Sequence, residues 1–261
     1  MDYTLTASLS NFYDEFAGDY HFIFEDWEAS MARQAAAIAS IFQRECLGTA
    51  TTVLDCACGI GTQTLGLAKL GFCVTGSDVS SGALDRARSE AALRGLAIPF
   101  YAADMRNLDE LPPGGFDAVI CMDNALPHLL SEADLAQAAG QIRGKLRSGG
   151  IFIASIRDYD EILPRRPVVQ GPAFYSDAGK RRIVFQLWDW QDERRYMFHM
   201  YFTRETSSGW VNFHGEAAYR AVLRDEITGI LNSRGFTDIR WQFPAESGFY
   251  QPIVIATAAA A

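Results

Sequence analysis

VLDCACGIGTQT, Val53 to Thr64, joins a short apolar run to an acidic residue, two cysteines and a Gly-Ile-Gly turn. The apolar run predicts a buried strand over Thr52–Asp55, and the residues after the glycines predict a helix. In doubly wound α/β folds, ligands bind in the crevice outside the carboxyl ends of such strands. The sequence therefore predicts a ligand site on this loop.

The alternation of strands and helices continues to Arg157. Further strands are predicted over 72–77, 99–103, 116–122 and 151–156. Helices are predicted over 26–43, 62–70, 80–95 and 132–146, with Ser80 as an N-cap. The residues SGG at 148–150 are expected to end the last of these helices. This order predicts a parallel sheet in a doubly wound, Rossmann-like α/β fold.

The pattern changes after Arg157. RRIVFQLWDW (181–190) and YMFHMYFTRE (196–205) alternate apolar and polar residues, and QDERR lies between them. They predict an inserted β-hairpin that covers the substrate. Residues 219–233 are predicted to be helical, and 236–243 and 249–257 to be closing strands. The expected organisation begins with an N-terminal lid and helix (1–45) and a cofactor-binding core (46–157). The inserted cover (158–215) and a C-terminal completion of the core (216–261) follow.

Composition excludes several classes of protein. The 261 residues are 49% apolar and 21% charged, which suits one sizeable core. The formal charge of −9 argues against a broadly basic surface for nucleic acid. Five scattered cysteines, the lack of a signal-peptide pattern and the lack of an apolar run near the roughly 20 residues of a membrane span predict a cytoplasmic protein. Its expected partner is a small molecule, with homo-oligomerisation left open.

The glycine loop fits a nucleoside better than the other ligands of such loops. A Walker loop requires Gly-Lys-Ser/Thr, and a dinucleotide fingerprint requires Gly or Ala where Thr64 stands. Cys56 and Cys58 lack the two-residue spacing of metal ligands, so no metal site is predicted. Gly59 and Gly61 let the backbone approach a ligand closely. A nucleoside without a long phosphate remains, and S-adenosylmethionine fits.

An aspartate ends each of the first three predicted strands. Asp55 can receive the amino-acid ammonium of the cofactor, and Asp78 can accept both ribose hydroxyls. Asp104 can accept the adenine amino group, with Met105 packed on the ring. One such aspartate would read as a strand-end cap, but three in succession beside one glycine loop favour the nucleoside.

These motifs resemble a known family. LDCACGIGTQT, GSDVSSGALDRAR and YAADMRNL are similar to the first motifs of class I S-adenosylmethionine-dependent methyltransferases, over residues 50–157. The resemblance implies a seven-stranded sheet whose last strand, in FYQPIVIAT, is antiparallel. It also implies further cofactor contacts within and beside the motifs, namely Ala57, Cys58, Thr62, Val79 and Met122.

ICMDNALPHL and SIRDYDEIL resemble the fourth- and fifth-strand motifs of the glycine/sarcosine N-methyltransferase group. The resemblance implies that Asn124 and His128 contact the cofactor and that Arg157 binds the carboxylate of the acceptor. Asp123 stands where that group commonly has Gly. The group also uses an N-terminal aromatic residue and an arginine, for which the nearest candidates are Tyr20, Trp27 and Arg33.

The predicted function is a methyltransferase (EC 2.1.1) that acts on the amine nitrogen of a small metabolite bearing an acidic group. The catalytic candidates are His128, Arg157 and His214. An O- or C-methyltransferase of an aromatic metabolite stays open, and there a base such as His128 or His214 would matter more. A nicotinamide-dependent oxidoreductase and a cofactor-binding protein without chemistry are the remaining alternatives.

Overall fold

The computed structural model describes residues 12–48, 51–177 and 179–260. The first eleven residues of the predicted N-terminal lid lie outside them. Within the described residues, the strands are β1 (Thr52–Asp55), β2 (Cys73–Asp78), β3 (Phe100–Ala102), β4 (Phe116–Cys121), β5 (Leu146–Ser155), β6 (Val169–Asp177), β7 (Lys180–Trp190), β8 (Arg195–Thr206), β9 (Gly209–Arg220), β10 (Phe236–Gln242) and β11 (Ile253–Ala258).

Helices separate most of the strands of the α/β part. They are α1 (12–16), α2 (Trp27–Arg44), α3 (Thr62–Lys69), α4 (Ser81–Leu93), α5 (Glu132–Lys145), α6 (Tyr159–Ile162), α7 (Arg224–Ser233) and α8 (Pro244–Ser247), with 3₁₀ turns at Tyr20–Ile23 and Leu126–His128. The predicted N-cap of α4 is confirmed, because Ser80 Oγ accepts the Ala83 N–H at 3.0 Å. No helix of the described residues is long and apolar enough to cross a membrane.

Seven strands form one mixed sheet in the order β3-β2-β1-β4-β5-β11-β10. β1 to β5 run parallel to one another, whereas β11 is antiparallel to both β5 and β10. The predicted Rossmann-like fold and its antiparallel last strand are therefore confirmed.

Helices cover the sheet on both faces, which explains why its central strands are apolar without alternation. Val53 packs in one cluster with Ile38 and Ile41 of α2. Leu54, the next residue, packs in another cluster with Leu135 of α5 and Ile227 of α7. Successive residues of β1 thus enter two separate cores, and the polar ends of the strands are left at the sheet edge where the loops lie.

A second sheet contains β6-β7-β8-β9, all antiparallel. The predicted hairpin is its central pair, β7 and β8, so the insertion holds four strands and not two. β9 crosses the predicted boundary at 215/216 and ends at Arg220. The helix predicted over 219–233 begins only at Arg224 because the preceding residues pair with β8.

Residues 148–150 were expected to end a helix, but they lie in β5. Gly149 has a φ of 71°, in the left-handed region that glycine adopts without strain. The pairing of β4 with β5 shifts register between Phe116 and Ala118. SGG therefore forms an irregular start of the strand, and the helix ends earlier, at Lys145.

Candidate functional site

A cavity of about 230 Å³ opens at the carboxyl ends of β1, β2 and β4. This cavity is the first cavity. Of the residues predicted to contact a cofactor, it is lined by Tyr20, Ala57, Cys58, Gly59, Thr62, Asp78, Val79, Asp104, Met105, Met122 and His128.

The glycine loop forms the floor of the first cavity. Gly61 has a φ of 93° and precedes α3, and a Cβ at this position would lie 3.1 Å from the Leu65 side chain. Gly59 has a φ of 51°, and its N–H points to the Asp78 carboxylate at 2.8 Å. Gly61 therefore allows the tight turn before α3 but does not line the cavity, whereas Gly59 does.

Asp78 ends β2 beside the loop. Its carboxylate accepts the N–H of Gly59 at 2.8 Å and the N–H of Ser80 at 3.0 Å. Burial raises the pKa of this carboxyl, and the backbone N–H groups act in the opposite direction. These bonds hold the carboxylate in the wall of the first cavity, and the ribose contact of Asp78 stays a prediction.

Asp104 lines the first cavity with its carboxylate already engaged. Arg106, which the sequence analysis did not single out, holds that carboxylate with its guanidinium at 2.6 Å and reaches Asp134 at 3.1 Å. A ligand amino group at Asp104 would share the carboxylate with Arg106. The sequence feature that could have indicated Arg106 is its place two positions after Asp104, where a local ion pair can form.

Asp55 differs from its prediction, because it lies beneath the loop and not at the cavity wall. Its carboxylate is fully buried and accepts the Thr64 hydroxyl at 2.7 Å and the Ala57 N–H at 3.4 Å. Burial raises the pKa of Asp55 to about 7. Its contribution is to hold both ends of the glycine loop.

The raised pKa of Asp55 leads to a prediction about stability. The folded chain holds the carboxyl proton up to about pH 7, against 3.8 for the free group. This stabilisation is complete below about pH 4 and is lost as the pH rises to about 7, at roughly 1.4 kcal/mol per unit of pKa shift. We expect urea unfolding at pH 5, 6 and 8 to show wild type losing stability relative to Asp55→Asn as the pH rises.

Asp117→Asn is the control for that measurement. Although burial acts the other way, the Thr52 N–H and the Arg147 guanidinium lower the pKa of Asp117. Its contribution to stability is lost only as the pH falls below about 4, so wild type and this variant should show parallel profiles between pH 5 and 8. Parallel pH profiles for wild type and Asp55→Asn would contradict the proposed protonation of Asp55.

Two predicted N-terminal contacts lie away from the first cavity. Trp27 is buried, and its indole N–H donates to Thr62 Oγ1 at 2.9 Å. Arg33 is exposed on the outer side of α2. Because six residues advance a helix by about 600°, the two side chains point in very different directions. Of the three N-terminal candidates, Tyr20 alone lines the cavity.

His214 also departs from its prediction. It lies on β9 next to Phe213, whose ring stacks on Phe16 of the N-terminal segment at 4.2 Å. Since successive side chains of a strand point to opposite faces, His214 faces outward and is exposed. It lines neither of the two cavities described here.

His128 is a neutral imidazole in the wall of the first cavity. Its Nδ1 lies 3.3 Å from the Ala218 carbonyl, which can only accept, so Nδ1 carries the proton. Its Nε2 then accepts the Tyr13 hydroxyl at 2.9 Å. Burial lowers the pKa of His128 to about 3. The ring orients Tyr13 and is a weak base at neutral pH.

A second cavity of about 220 Å³ adjoins the first, and both are lined by Tyr13, Tyr20 and Asp123. The N-terminal segment forms its roof, and the inner face of the second sheet forms a wall. Most of its lining is aromatic, from Phe12, Tyr13, Tyr20, Phe24, Phe198, Tyr219 and Tyr250.

Arg157 lines the second cavity. Its guanidinium donates to the Tyr196 hydroxyl at 3.1 Å and to Gln186 Oε1 at 3.4 Å. Among the described residues, no carboxylate oxygen lies within 4 Å of it, because Asp158 and Asp160 pair with Arg224 instead. The cation is surrounded by rings within 5.4 Å of its central carbon, from Trp188, Phe198 and Tyr219.

Asp123 lies between the two cavities on a strained backbone. Its φ is 56°, in a region that costs a non-glycine residue energy and occurs often at functional sites. The carboxylate accepts Gln63 Nε2 at 2.8 Å and the Tyr250 hydroxyl. Burial raises the pKa of Asp123, and within the described residues no basic side chain pairs with it.

Asn124, a predicted cofactor contact, supports the second cavity from behind. It is buried, accepts the Arg157 N–H at 2.9 Å and donates to the Tyr159 hydroxyl at 3.1 Å. Its φ of 66° lets it turn away from the cavity that Asp123 faces. The side chain thus positions Arg157 and lines neither cavity.

Residues 53–150 match the model of the methyltransferase domain family. The chain is 38% identical over 114 residues to a glycine/sarcosine N-methyltransferase of Parasynechococcus marenigrum (strain WH8102), covering 44% of this chain and 40% of that protein. It is 36% identical over 143 residues to a glycine N-methyltransferase of Oryctolagus cuniculus, covering 49% and 48%. The chain thus spans less than half the length of these relatives.

Solved structures of similar fold cover nearly the whole chain. CalS10, an amino pentose methyltransferase from Micromonospora echinaspora, superposes with a TM-score of 0.75 at 20% identity, over 94% of this chain and 97% of that one. DesVI from Streptomyces venezuelae superposes with a TM-score of 0.76 at 19% identity, over 96% and 98%.

The family match covers the segment that carries the glycine loop and the strand-end aspartates. The seven strands of the sheet and the antiparallel β11 are those that the resemblance implied. The match therefore shows a methyltransferase domain over residues 53–150, and the similar solved structures show the same fold over nearly the whole chain.

Proposed function

We propose that this protein transfers the methyl group of S-adenosylmethionine to the nitrogen of a small amine that also carries an acidic group. The cofactor occupies the first cavity, with its ribose at Asp78 and its adenine near Asp104 and Met105. The acceptor occupies the second cavity, under the N-terminal segment and the second sheet, which acts as its cover.

A pair of partly buried opposite charges at the second cavity carries this proposal. Arg157 offers a guanidinium without a carboxylate partner among the described residues, and Asp123 a carboxylate without a basic one. A buried charge is costly unless it is paired. An acceptor with a carboxylate and an amine supplies both missing partners, and it is thereby oriented along the line between Arg157 and the first cavity.

The transfer then depends on position more than on a strong base. The ammonium of the acceptor first loses one proton to solvent. The freed amine nitrogen then attacks the methyl carbon, the bond from that carbon to sulfur breaks, and positive charge passes from sulfur to nitrogen. Holding the two reactants together in a dry site supplies most of the acceleration. The Asp123 carboxylate, next to both cavities, stabilises the charge that develops on nitrogen. His128 is neutral and accepts the Tyr13 hydroxyl, so its role is to position Tyr13 and not to act as a base.

An aromatic acceptor that is methylated on oxygen or carbon is the second candidate. The observation that favours it is the largely aromatic lining of the second cavity, including Phe198 and Tyr219. A phenol would require a base to remove its proton, and the Asp123 carboxylate, which lines both cavities, is the group that could accept it.

A panel of acceptors with methyl-labelled S-adenosylmethionine tests the proposal. It should contain glycine, sarcosine and other amines bearing a carboxylate, the carboxamide of each, neutral amino sugars and phenols. We expect label on the nitrogen of a carboxylate-bearing amine, with its carboxamide accepting much less. Label only on amino sugars or phenols would overturn the acceptor class. Cofactor binding without turnover on any member would overturn the transfer itself.

The N-terminal segment is expected to become ordered over bound cofactor. Asp14 anchors it to α4 by accepting the Ser80 hydroxyl at 2.6 Å, and Arg182 of the second sheet donates to the Phe24 carbonyl at 2.6 Å. Tyr13 and Tyr20 form walls of both cavities, so the segment must open to admit ligands. We expect hydrogen exchange of residues 12–24 to slow when S-adenosylhomocysteine is added.

Helix α7 serves as the internal reference for that measurement, because it lies outside both cavity linings. Its exchange should be the same with and without the ligand. Equal exchange of residues 12–24 in the two states would count against a lid. Slowing of α7 as well would indicate a global gain in stability and not closure of the segment.

A further inference from the structure

Two histidines and a glutamate converge on the outer face of the second sheet. His199 of β8 lies directly opposite Glu216 of β9, and His214 precedes Glu216 by two residues. Residues two apart on a strand share a face, so the three side chains lie on the same face of the second sheet. None of them lines either cavity. His199 is partly buried, while the other two are exposed.

The ligand atoms of this cluster have the spacing of a metal site. His199 Nδ1 lies 3.1 Å from His214 Nε2 and 3.4 Å from Glu216 Oε2, and all three atoms lie within 4.8 Å of one another. Zinc binds imidazole nitrogen and carboxylate oxygen at about 2.0–2.2 Å in a tetrahedron, which puts neighbouring ligand atoms about 3.3–3.6 Å apart. The two measured separations lie close to that range.

A fourth residue fixes the histidine that connects the other two. His199 Nε2 lies 3.2 Å from Asp189 Oδ2 on β7, and a carboxylate can only accept there. The ring therefore carries its proton on Nε2 and presents an Nδ1 lone pair to Glu216 and His214. Metal-binding histidines commonly donate their second N–H to a carboxylate in this way. The Tyr201 ring, 4.4 Å away, holds the His214 ring by stacking.

The geometry points to a site for a divalent transition-metal ion, such as Zn²⁺, bound by His199, His214 and Glu216. A cation satisfies the lone pairs and the carboxylate that meet there, and a water completes the tetrahedron. The ion joins β8 to β9 on the side of the sheet that faces away from the proposed acceptor. No metal site is predicted from the sequence, because Cys56 and Cys58 lack the spacing of metal ligands. The present cluster forms only when β8 pairs with β9.

Calorimetric titration of the full chain with Zn²⁺ alone tests the site. We expect one ion per chain for wild type and for Glu205→Gln, a control carboxylate on β8 outside the cluster. His214→Asn and Glu216→Gln should each bind at least about tenfold more weakly, and Asp189→Asn should weaken binding by about 10- to 100-fold. Circular dichroism checks that each variant is folded. If His214→Asn does not fold, the Zn²⁺ affinity of Glu216→Gln is the deciding measurement, because Glu216 is exposed.

Co²⁺ as a spectroscopic probe separates this site from the five cysteines. Binding at His199, His214 and Glu216 should give d–d bands without the thiolate charge-transfer band, and those bands should be lost in His214→Asn. A thiolate band in wild type, equal Zn²⁺ binding by all variants, or no saturable binding by wild type would each overturn the proposal.

Discussion

Arg157→Lys is expected to raise the KM for the acidic acceptor about tenfold to a hundredfold while the affinity for S-adenosylmethionine stays nearly unchanged. Lysine keeps the charge but loses the planar fork that matches a carboxylate. A hydrogen bond to a charged group contributes roughly 1.5–3 kcal/mol, which corresponds to that range of affinity. Steady-state kinetics with the acceptor identified by the panel, and with its carboxamide, provide the measurement.

The carboxamide is essential to this test, because it lacks the group that Arg157 is proposed to hold. Its KM should therefore change little in the variant. Arg224→Lys is the matched control, since Arg224 is paired with Asp158 and Asp160 and lies outside both cavity linings. It should lower the melting temperature without discriminating between the two acceptors. The same behaviour from Arg157→Lys would make Arg157 a structural residue.

Asp78→Asn is expected to weaken binding of S-adenosylmethionine about tenfold to a hundredfold. The wild-type carboxylate already accepts the Gly59 and Ser80 N–H groups, and Asp78 lines the first cavity. The amide has one oxygen in place of two, so it cannot accept from the loop, from α4 and from two ribose hydroxyls together. The loss of a charged hydrogen-bond partner costs roughly 1.5–3 kcal/mol.

Calorimetry of cofactor binding to the folded variant measures this effect. Asp85→Asn is the control, because Asp85 lies on α4 in an ion pair with Arg88 outside the cavity lining. It should bind the cofactor as wild type does. An unchanged affinity in Asp78→Asn would remove this residue from the ribose site, and a lower melting temperature alone would assign it to the loop.

The sequence by itself determined the doubly wound α/β fold and a ligand site at the carboxyl ends of its strands. Val53–Asp55 and its successors are short runs that end in or just before an aspartate, and helices follow β1 and β2. Strands of this kind can be buried only in a parallel sheet covered on both faces, which brings their carboxyl ends to one edge. Asp78, Asp104 and the glycine loop therefore meet at the first cavity without help from distant segments.

Features that depend on pairing between distant segments were decided by the tertiary structure. Residues 219–220 carried a helical pattern, yet they complete β9 because β8 offers them backbone partners. Asp55 ends its strand like Asp78, but Thr64 and Ala57 hold it beneath the loop. Local patterns specify that a side chain is buried or polar, and they do not specify which partner meets it.

The partners of the charged groups show the same division. From the motif SIRDYDEIL, Arg157 could pair with Asp158 or Asp160 as easily as with a ligand. Arg224, more than sixty residues later in the chain, takes both carboxylates and leaves the Arg157 guanidinium facing the second cavity. Charge interactions act through space, so the free charge at the second cavity exists only once α7 has packed against the sheet.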